Sequence, residues 1–257
     1  MIVLSGCNGA GETRALWEDI KITDLAAAAS PRPPRGVLPA TIEFNVFTFE
    51  VPAEKIGVFE EVRSMLYKKP LRYNDHDAFK ANSFLVGYGT TETWDKIGDL
   101  LRSAGARRAR TLSVLVVDGQ SNDVAITRLK NERTIYYVST TGSIESVPMG
   151  PGGLVLRLTG QTVPGERGVC RVDALPVFVA SRRSPMAMAA PGADLHAGQF
   201  AFIPVAFRLK MNGGDFVLLG PKKYIDHRTT LAGAFFSRPG VKSFFRVYLI
   251  VCARIND

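Results

Sequence analysis

The stretch Gly153-Leu154-Val155-Leu156-Arg157-Leu158 sets the fold class of the second half of the chain. Its leucines recur at every second position, so they point to one face of an extended strand while Arg157 points to the other. Further apolar or alternating segments, separated by Gly, Pro, Ser or Asn, cover residues 135–138, 169–179, 200–209, 216–219 and 244–255. No helical period is visible beyond Arg133. Residues 131–257 are therefore predicted to form a mainly antiparallel all-β domain, either a sandwich or a curved sheet.

The region before it, residues 37–130, combines both periods. Residues 41–49 alternate, with Ile42, Phe44 and Val46 on one face, which is typical of a strand. Further strands are predicted at residues 84–89, 112–117 and 124–127, the last two joined by a turn at Asp118-Gly119. Two helices are predicted between them, one from Pro52 to Pro70 with Ile56, Phe59, Val62 and Leu66 inward, and one capped by Thr91 with Trp94, Ile97 and Leu101 inward. The order β-α-β-α-β-β predicts a small module with two helices on one side of a sheet, and the fold class is α+β.

Near the start, Leu4-Ser5-Gly6-Cys7 has the pattern of a bacterial lipoprotein cleavage box: an apolar residue, two small residues and a cysteine. The mature chain is then expected to begin at Cys7, which would carry lipid. A signal peptide has about 7–15 apolar residues before its cleavage site, and only Met1-Ile2-Val3 precede Leu4 here, so the expectation includes a longer upstream signal. The alternative is a buried first strand in a cytoplasmic protein. Residues 1–36 are interpreted as signal remnant, attachment site and a stiff Pro-rich tether.

The chain has three cysteines. Once Cys7 is lipidated, Cys170 and Cys252 remain as one candidate pair. In an oxidising envelope they would close a disulfide over a long loop, which the chain-entropy model values at about 4–5 kcal/mol. The alternative is that both are small apolar residues buried on separate strands.

Size, composition and charge narrow the class of protein. With 257 residues, 46% hydrophobic and 22% charged, the chain is globular. No apolar run approaches the ~20 residues of a spanning helix. The net charge of +8 attracts polyanions in general. The runs Arg107-Arg108-Ala109-Arg110 and Arg182-Arg183 indicate solvated edges, and specific nucleic-acid binding is not expected, because no ladder of exposed aromatic residues accompanies them.

Catalytic signatures are missing from the sequence. It contains neither a G-x-S-x-G elbow nor a phosphate-binding loop. His76, within Asn74-Asp75-His76-Asp77, favours a polar loop over a metal site, and His227 favours a local ion pair. Glu60-Glu61 fit the wet side of a helix. The protein is predicted to be no enzyme, with no metal and no cofactor, and the segment 181–198, which holds His196, is predicted to be a long loop.

Five segments of the second half carry a family resemblance. The first three are predicted strands, at residues 153–158, 170–179 and 200–209. The fourth is the turn-containing segment Gly214-Asp215-Phe216-Val217-Leu218-Leu219-Gly220-Pro221, and the last is the apolar strand at residues 247–255. This order resembles the C-terminal homology domain of bacterial secretins, the ring-forming outer-membrane gates of export systems. The resemblance implies a tight turn built on Gly214, Asp215 and Gly220, and ring-building character for the module before it. Pro221 replaces the family's second glycine, Ala253 stands in place of proline, and the loop 181–198 replaces the apolar hairpin.

Three functional hypotheses follow. The first is a non-catalytic, lipid-anchored cell-envelope protein, a structural or assembly component of a secretin-like export apparatus for protein secretion. It would be held at the periplasmic face of the outer membrane and would associate with copies of itself or with envelope proteins. The alternative is an envelope module that binds an anionic glycan or wall polymer, suggested by the positive charge and the long loop. A weaker third candidate is a hydrolase with a carboxylate pair in the cleft between the two modules, for which Asp75→Asn is the test variant.

Overall fold

The computed structural model describes residues 39–181, 198–223, 229–238 and 244–256. Several sequence-based expectations lie outside these ranges: the lipid attachment at Cys7, the tether, Arg182-Arg183, most of the 181–198 loop, and both His196 and His227.

The described residues form a mixed architecture dominated by strands. The strands are β1 (Thr41–Pro52), β2 (Arg72–Tyr73), β3 (Phe84–Gly89), β4 (Arg107–Val117), β5 (Ser121–Leu129), β6 (Arg133–Val138), β7 (Ile144–Met149), β8 (Gly152–Val163), β9 (Glu166–Ala180), β10 (Gln199–Ala201), β11 (Phe207–Asn212), β12 (Phe216–Pro221) and β13 (Phe244–Asn256). The helices are α1 (Val58–Met65), α2 (His76–Ala81), α3 (Thr91–Ser103) and α4 (Leu231–Phe236), with 3-10 turns at Ala53–Lys55 and Ile203–Val205. The predicted α+β class with a largely antiparallel β-rich part is confirmed.

Two sheets and a hairpin organise these strands. The first sheet has the order β3-β12-β13-β1-β4, and the second has the order β2-β11-β9-β8-β5 with β10 beside β9. Strands β6 and β7 form a separate two-stranded sheet. Every pairing among these described strands is antiparallel.

The main core lies between the two sheets. Ile42, Phe44 and Val46 of β1 are buried in the same cluster as Leu154, Leu156 and Leu158 of β8. The alternation read from the sequence is therefore what places these faces against each other, because only every second residue of a strand points to one side.

A second, smaller core covers the opposite face of the first sheet. Phe59 and Val62 of α1, together with Ile97 and Leu101 of α3, are buried against β12 and β13. These are the inward positions expected from helical spacing. The N-cap of α3 is Thr90 rather than Thr91, since Thr90 has the extended backbone and precedes the first helical residue. Among the described helices none is long and apolar enough for a membrane span.

Several local features differ from the sequence-based expectations. Helix α2 begins at His76, where a polar loop is expected. The turn at Asp118-Gly119 does not close a hairpin: β4 pairs with β1, whereas β5 pairs with β8, so the chain changes sheets there. The strand expected over 200–209 is interrupted by the 3-10 turn Ile203–Val205, which contains Pro204. Strand β7 was not expected, nor was α4, whose six residues are all buried and which therefore shows no amphipathic period.

The expected boundary near residue 130 does not separate the sheets. Strands β1, β3 and β4 from residues 37–130 share the first sheet with β12 and β13 from residues 131–257. The apolar face of β1 lies against β8, so neither part could bury its strands alone. Residues Pro39–Asp257 form one compact unit.

Candidate functional site

The turn between β11 and β12 is built around one buried carboxylate. Asp215 is 7% exposed. Its Oδ2 accepts hydrogen bonds from the Tyr88 hydroxyl at 2.6 Å, the Asn212 amide at 2.7 Å and the Asn212 side-chain amide at 3.0 Å. Gly214 has a φ of +91°, a conformation that favours glycine. The predicted roles of glycine and aspartate thus have a defined local geometry, and Asp215 links the turn to β3.

The same turn holds the end of β13. The amide of Gly214 donates to the Cys252 carbonyl at 2.7 Å, and the amide of Cys252 donates to the Asp215 carbonyl at 2.9 Å. Burial, followed by the hydrogen bond to Asp215, raises the pKa of the Tyr88 hydroxyl well above its ordinary value. Tyr88 therefore keeps its proton and acts as a hydrogen-bond donor. This arrangement is suited to holding three strands together.

At the other end of β12, the backbone of the strand lies close to helix α1. A Cβ added at Gly220 would lie 3.1 Å from Phe59 Cε1 of α1, which is tighter than ordinary van der Waals contact. Pro221 ends the strand opposite Phe84, where the loss of one amide donor costs the sheet little. Gly220 and Gly214 thus lie at opposite ends of the strand and make separate contacts.

The structure brings the two candidate disulfide cysteines together. Cys170 on β9 and Cys252 on β13 are free thiols with Sγ atoms 3.8 Å apart, both fully buried between the two sheets. The neighbouring Cys252 thiol and burial raise the pKa of the Cys170 thiol. The two cysteines are buried on separate strands and lie next to each other, and the disulfide between them stays a prediction.

A cavity lies between α3 and the helix-covered face of the first sheet. Its volume is about 700 Å³, and Phe47, Phe49, Trp94 and Val251 line it as half-buried side chains. Arg108 contributes a charge to its wall. A large apolar cavity with few polar groups is the ordinary form of a binding site.

Strand β4 is the edge of the first sheet next to this cavity. Residues 111–117 carry no charged side chain, and Leu115 is 58% exposed. Because Leu115 pairs with Glu43 and Thr111 pairs with Phe47, these residues point to the same face as the cavity lining. The arginines 107, 108 and 110 are exposed at the start of the same strand, so the basic run is a solvated edge, as the sequence indicates.

The residues tested for catalysis have local structural roles. Asp75 is the N-cap of α2, where its carboxylate accepts hydrogen bonds from the amides of Asp77 at 3.0 Å and Ala78 at 2.8 Å. His76 begins that helix, and Glu60 on α1 is 3.1 Å from Arg63. Over the described ranges, no group of three or more His, Cys, Asp or Glu residues is placed to hold a metal ion.

Sequence reasoning missed Tyr88, Asn212 and Leu115. The spacing of Asn212 and Asp215 around two glycines is a turn signal that could have identified Asn212 as a partner of the carboxylate. No local signal identifies Tyr88, because it lies 127 residues away from Asp215.

No protein-family model and no curated protein matches the chain. Solved structures give a weak resemblance to secretins. The secretin domain of InvG from the Salmonella SPI-1 injectisome matches with 11% identity and a TM-score of 0.24, over 85% of this chain and 63% of that one. Aeromonas hydrophila ExeD matches with 12% identity and 0.25, over 86% and 48%, and the V. cholerae competence pilus secretin PilQ with 14% and 0.23, over 82% and 57%. The chain thus spans less than two thirds of each.

Proposed function

We propose that this protein is a non-catalytic structural component of a cell-envelope export apparatus, anchored by lipid at Cys7 and assembled through the exposed edge strand β4. The observation that carries the proposal is this edge: an uncharged run, residues 111–117, at the border of a five-stranded sheet, with Leu115 58% exposed. Free strand edges pair with further strands, and proteins that avoid such pairing protect the edge with charges. Here the arginines lie at one end of the strand, and within residues 111–117 the Leu115 carbonyl accepts a hydrogen bond from the Asn122 side chain at 3.2 Å.

The apolar surface beside the edge supports an assembly role. Phe47 and Phe49 of β1 are half-buried in the cavity under α3, and every second residue of the neighbouring strand β4 points to that same face: Thr111, Ser113 and Leu115. A partner strand on β4 would therefore gain backbone hydrogen bonds from the edge and apolar burial from the adjoining face. The partner proposed is a second copy of this chain or another envelope component of the same apparatus.

The structural partners of two carboxylates support the non-catalytic part of the proposal. The buried Asp215 is occupied by three donors, and Asp75 is occupied as a helix cap. Their geometry serves the linkage of strands and helix ends, which is what an assembly component needs.

The assembly can be measured by light scattering after size exclusion, using the full chain as a Cys7→Ser variant to prevent acylation. We expect mass to increase with concentration, and Leu115→Lys to shift the chain towards monomer because it places a charge on the edge. The matched control is Ile144→Lys on β7, which removes a more exposed apolar residue (77% against 58% for Leu115) away from β4. A strict monomer that forms no cross-link through β4 in envelopes would contradict the proposal.

The anchor is tested separately. Labelled palmitate should be incorporated into the wild-type chain expressed with its native upstream sequence and not into the Cys7→Ser variant. Equal labelling of both would remove the anchor from the proposal and leave the assembly claim standing.

A further inference from the structure

A second pocket lies at the opposite edge of the first sheet, between α1, α2 and β3. Its volume is about 290 Å³. Four cationic side chains surround it, from Arg63, Lys68, Lys80 and Lys222, and the described lining residues include no carboxylate. Like charges repel one another, so four cations around one cavity create a positive potential that an anion would relieve.

Among the described residues, the three lysines at the pocket are not neutralised by ion pairs. Arg63 is 3.1 Å from Glu60. No ion pair within 4.0 Å involves Lys68, Lys80 or Lys222 in the part of the chain that the structure describes, and all three are exposed. A lysine binds phosphate as a compact point charge with three donors.

Aromatic rings form the wall beside these charges. Tyr67 is 51% exposed. Tyr73 packs against His76 with ring centroids 5.0 Å apart and against Phe79 at 4.9 Å. Flat rings that are partly open to solvent are surfaces on which bases and other rings stack. The pocket therefore offers an apolar wall for a ring and a charged rim for an anion.

The backbone that carries these groups is held in place. The amide of Tyr67 donates to the Tyr88 carbonyl at 2.8 Å, and the amide of Lys222 donates to the Ser83 carbonyl at 2.8 Å. Ser83 has a φ of +62°, a conformation that non-glycine residues adopt at a cost. This strained residue follows α2, which carries Lys80, and its carbonyl positions Lys222. The strained conformation of Ser83 therefore accompanies an arrangement in which Lys80 and Lys222 lie at the same pocket.

We propose that this pocket binds a small phosphate ester that also carries a ring, such as a nucleotide or a sugar phosphate. The lysines would bind the phosphate, and the ring would stack against Tyr67 and Tyr73. The pocket is at the β3 edge, whereas the proposed assembly uses the β4 edge, so the two inferences stand or fall separately.

The test is calorimetric titration of the full chain with four probes: AMP, glucose 6-phosphate, inorganic phosphate and adenosine. We expect saturable binding of at least one of the two esters, tighter than that of phosphate or adenosine. Raising the salt concentration should weaken it, because the lysines are exposed. Tighter binding of AMP would assign a planar base to the pocket, and equal or tighter binding of glucose 6-phosphate would assign a sugar.

Variants locate the site. The pair Lys68→Gln and Lys222→Gln should weaken ester binding about tenfold or more. The pair Lys55→Gln and Lys96→Gln removes the same charge elsewhere and should leave binding unchanged. Tyr67→Leu should weaken ester binding and spare that of inorganic phosphate. The proposal is overturned if neither ester binds, if phosphate alone binds as tightly, or if both lysine pairs have the same effect; an unchanged thermal unfolding midpoint establishes that each variant is folded.

Discussion

At the scale of single residues, removal of the Asp215 carboxylate should lower the free energy of unfolding. The carboxylate is buried, and three donors from Tyr88 and Asn212 converge on its Oδ2. Asp215→Ala would leave these donors without an acceptor, and we expect the free energy of unfolding to fall by about 2–3 kcal/mol. Urea denaturation measures this. Asp95→Ala, an exposed carboxylate on α3, should change it by less than about 0.5 kcal/mol; equal effects would contradict the role given to Asp215.

The thiols of Cys170 and Cys252 yield a second prediction at this scale. Their Sγ atoms are 3.8 Å apart. Disulfide exchange with oxidised glutathione during refolding should join them, releasing two reduced glutathione molecules and removing two hydrogens from the protein. Since the loop between them is long, we expect a gain of about 4–5 kcal/mol over the reduced chain.

Mass spectrometry of the Cys7→Ser variant, which retains only this pair, measures the outcome. Finding two free thiols after oxidative refolding, detected by a maleimide in denaturant, would exclude the disulfide. Cys170→Ser serves as the control, because it cannot close the bond and should show no difference in stability between oxidising and reducing conditions.

At the scale of elements, the position of α1 over β12 depends on the absence of a side chain at Gly220. A methyl group there would lie 3.1 Å from Phe59 Cε1. Gly220→Ala is therefore expected to lower the free energy of unfolding by about 1–3 kcal/mol, since the buried Phe59 ring has to move. Gly213→Ala, where nothing lies within 4 Å, is the matched control and should stay within about 0.5 kcal/mol. Chemical denaturation of both decides whether the contact matters.

At the scale of the whole molecule, the sheet topology predicts that residues 37–130 do not fold alone. In this fragment β1 would lack β13, and β3 would lack β12. We expect no cooperative thermal transition for the fragment by circular dichroism, whereas residues 39–257, the compact unit, should show one. A cooperative transition in the fragment would restore the boundary that the sequence suggests near residue 130.

Alkaline pH should destabilise the whole chain through its tyrosines. Burial, the first cause at each site, raises the pKa of Tyr88, Tyr137 and Tyr248 above the ordinary value of 10.0. Above that pH the unfolded chain loses protons that the native chain retains, so stability present below pH 10 is lost as the pH rises. The urea midpoint should be lower at about pH 11 than at about pH 9. Tyr137→Phe removes one of these tyrosine hydroxyls, whose hydrogen-bond partner is the exposed Glu145, so it should make the fall of the urea midpoint with pH shallower. Equal midpoints of the wild-type chain at both pH values would contradict the role given to the tyrosines.

Much of the fold was predictable because burial leaves a periodic mark on the sequence. The inward faces of β1 and β8 and the inward positions of α1 and α3 follow from local periods of two and about 3.6 residues. Helix α4 left no such mark, since it is buried all round. The β4–β5 turn was predicted where it occurs, but local chemistry does not say which sheet each flanking strand joins.

Local sequence patterns identified the inward faces of β1, β8, α1 and α3, because these depend on neighbours within a few positions. The folded structure established which strands pair across the expected domain boundary, that Tyr88 reaches Asp215, and that Cys170 lies beside Cys252. It also decided that four cations surround one pocket. The physical reason is that apolar burial is non-directional: it fixes the face of each strand, while its partner is selected by packing among segments far apart in the chain.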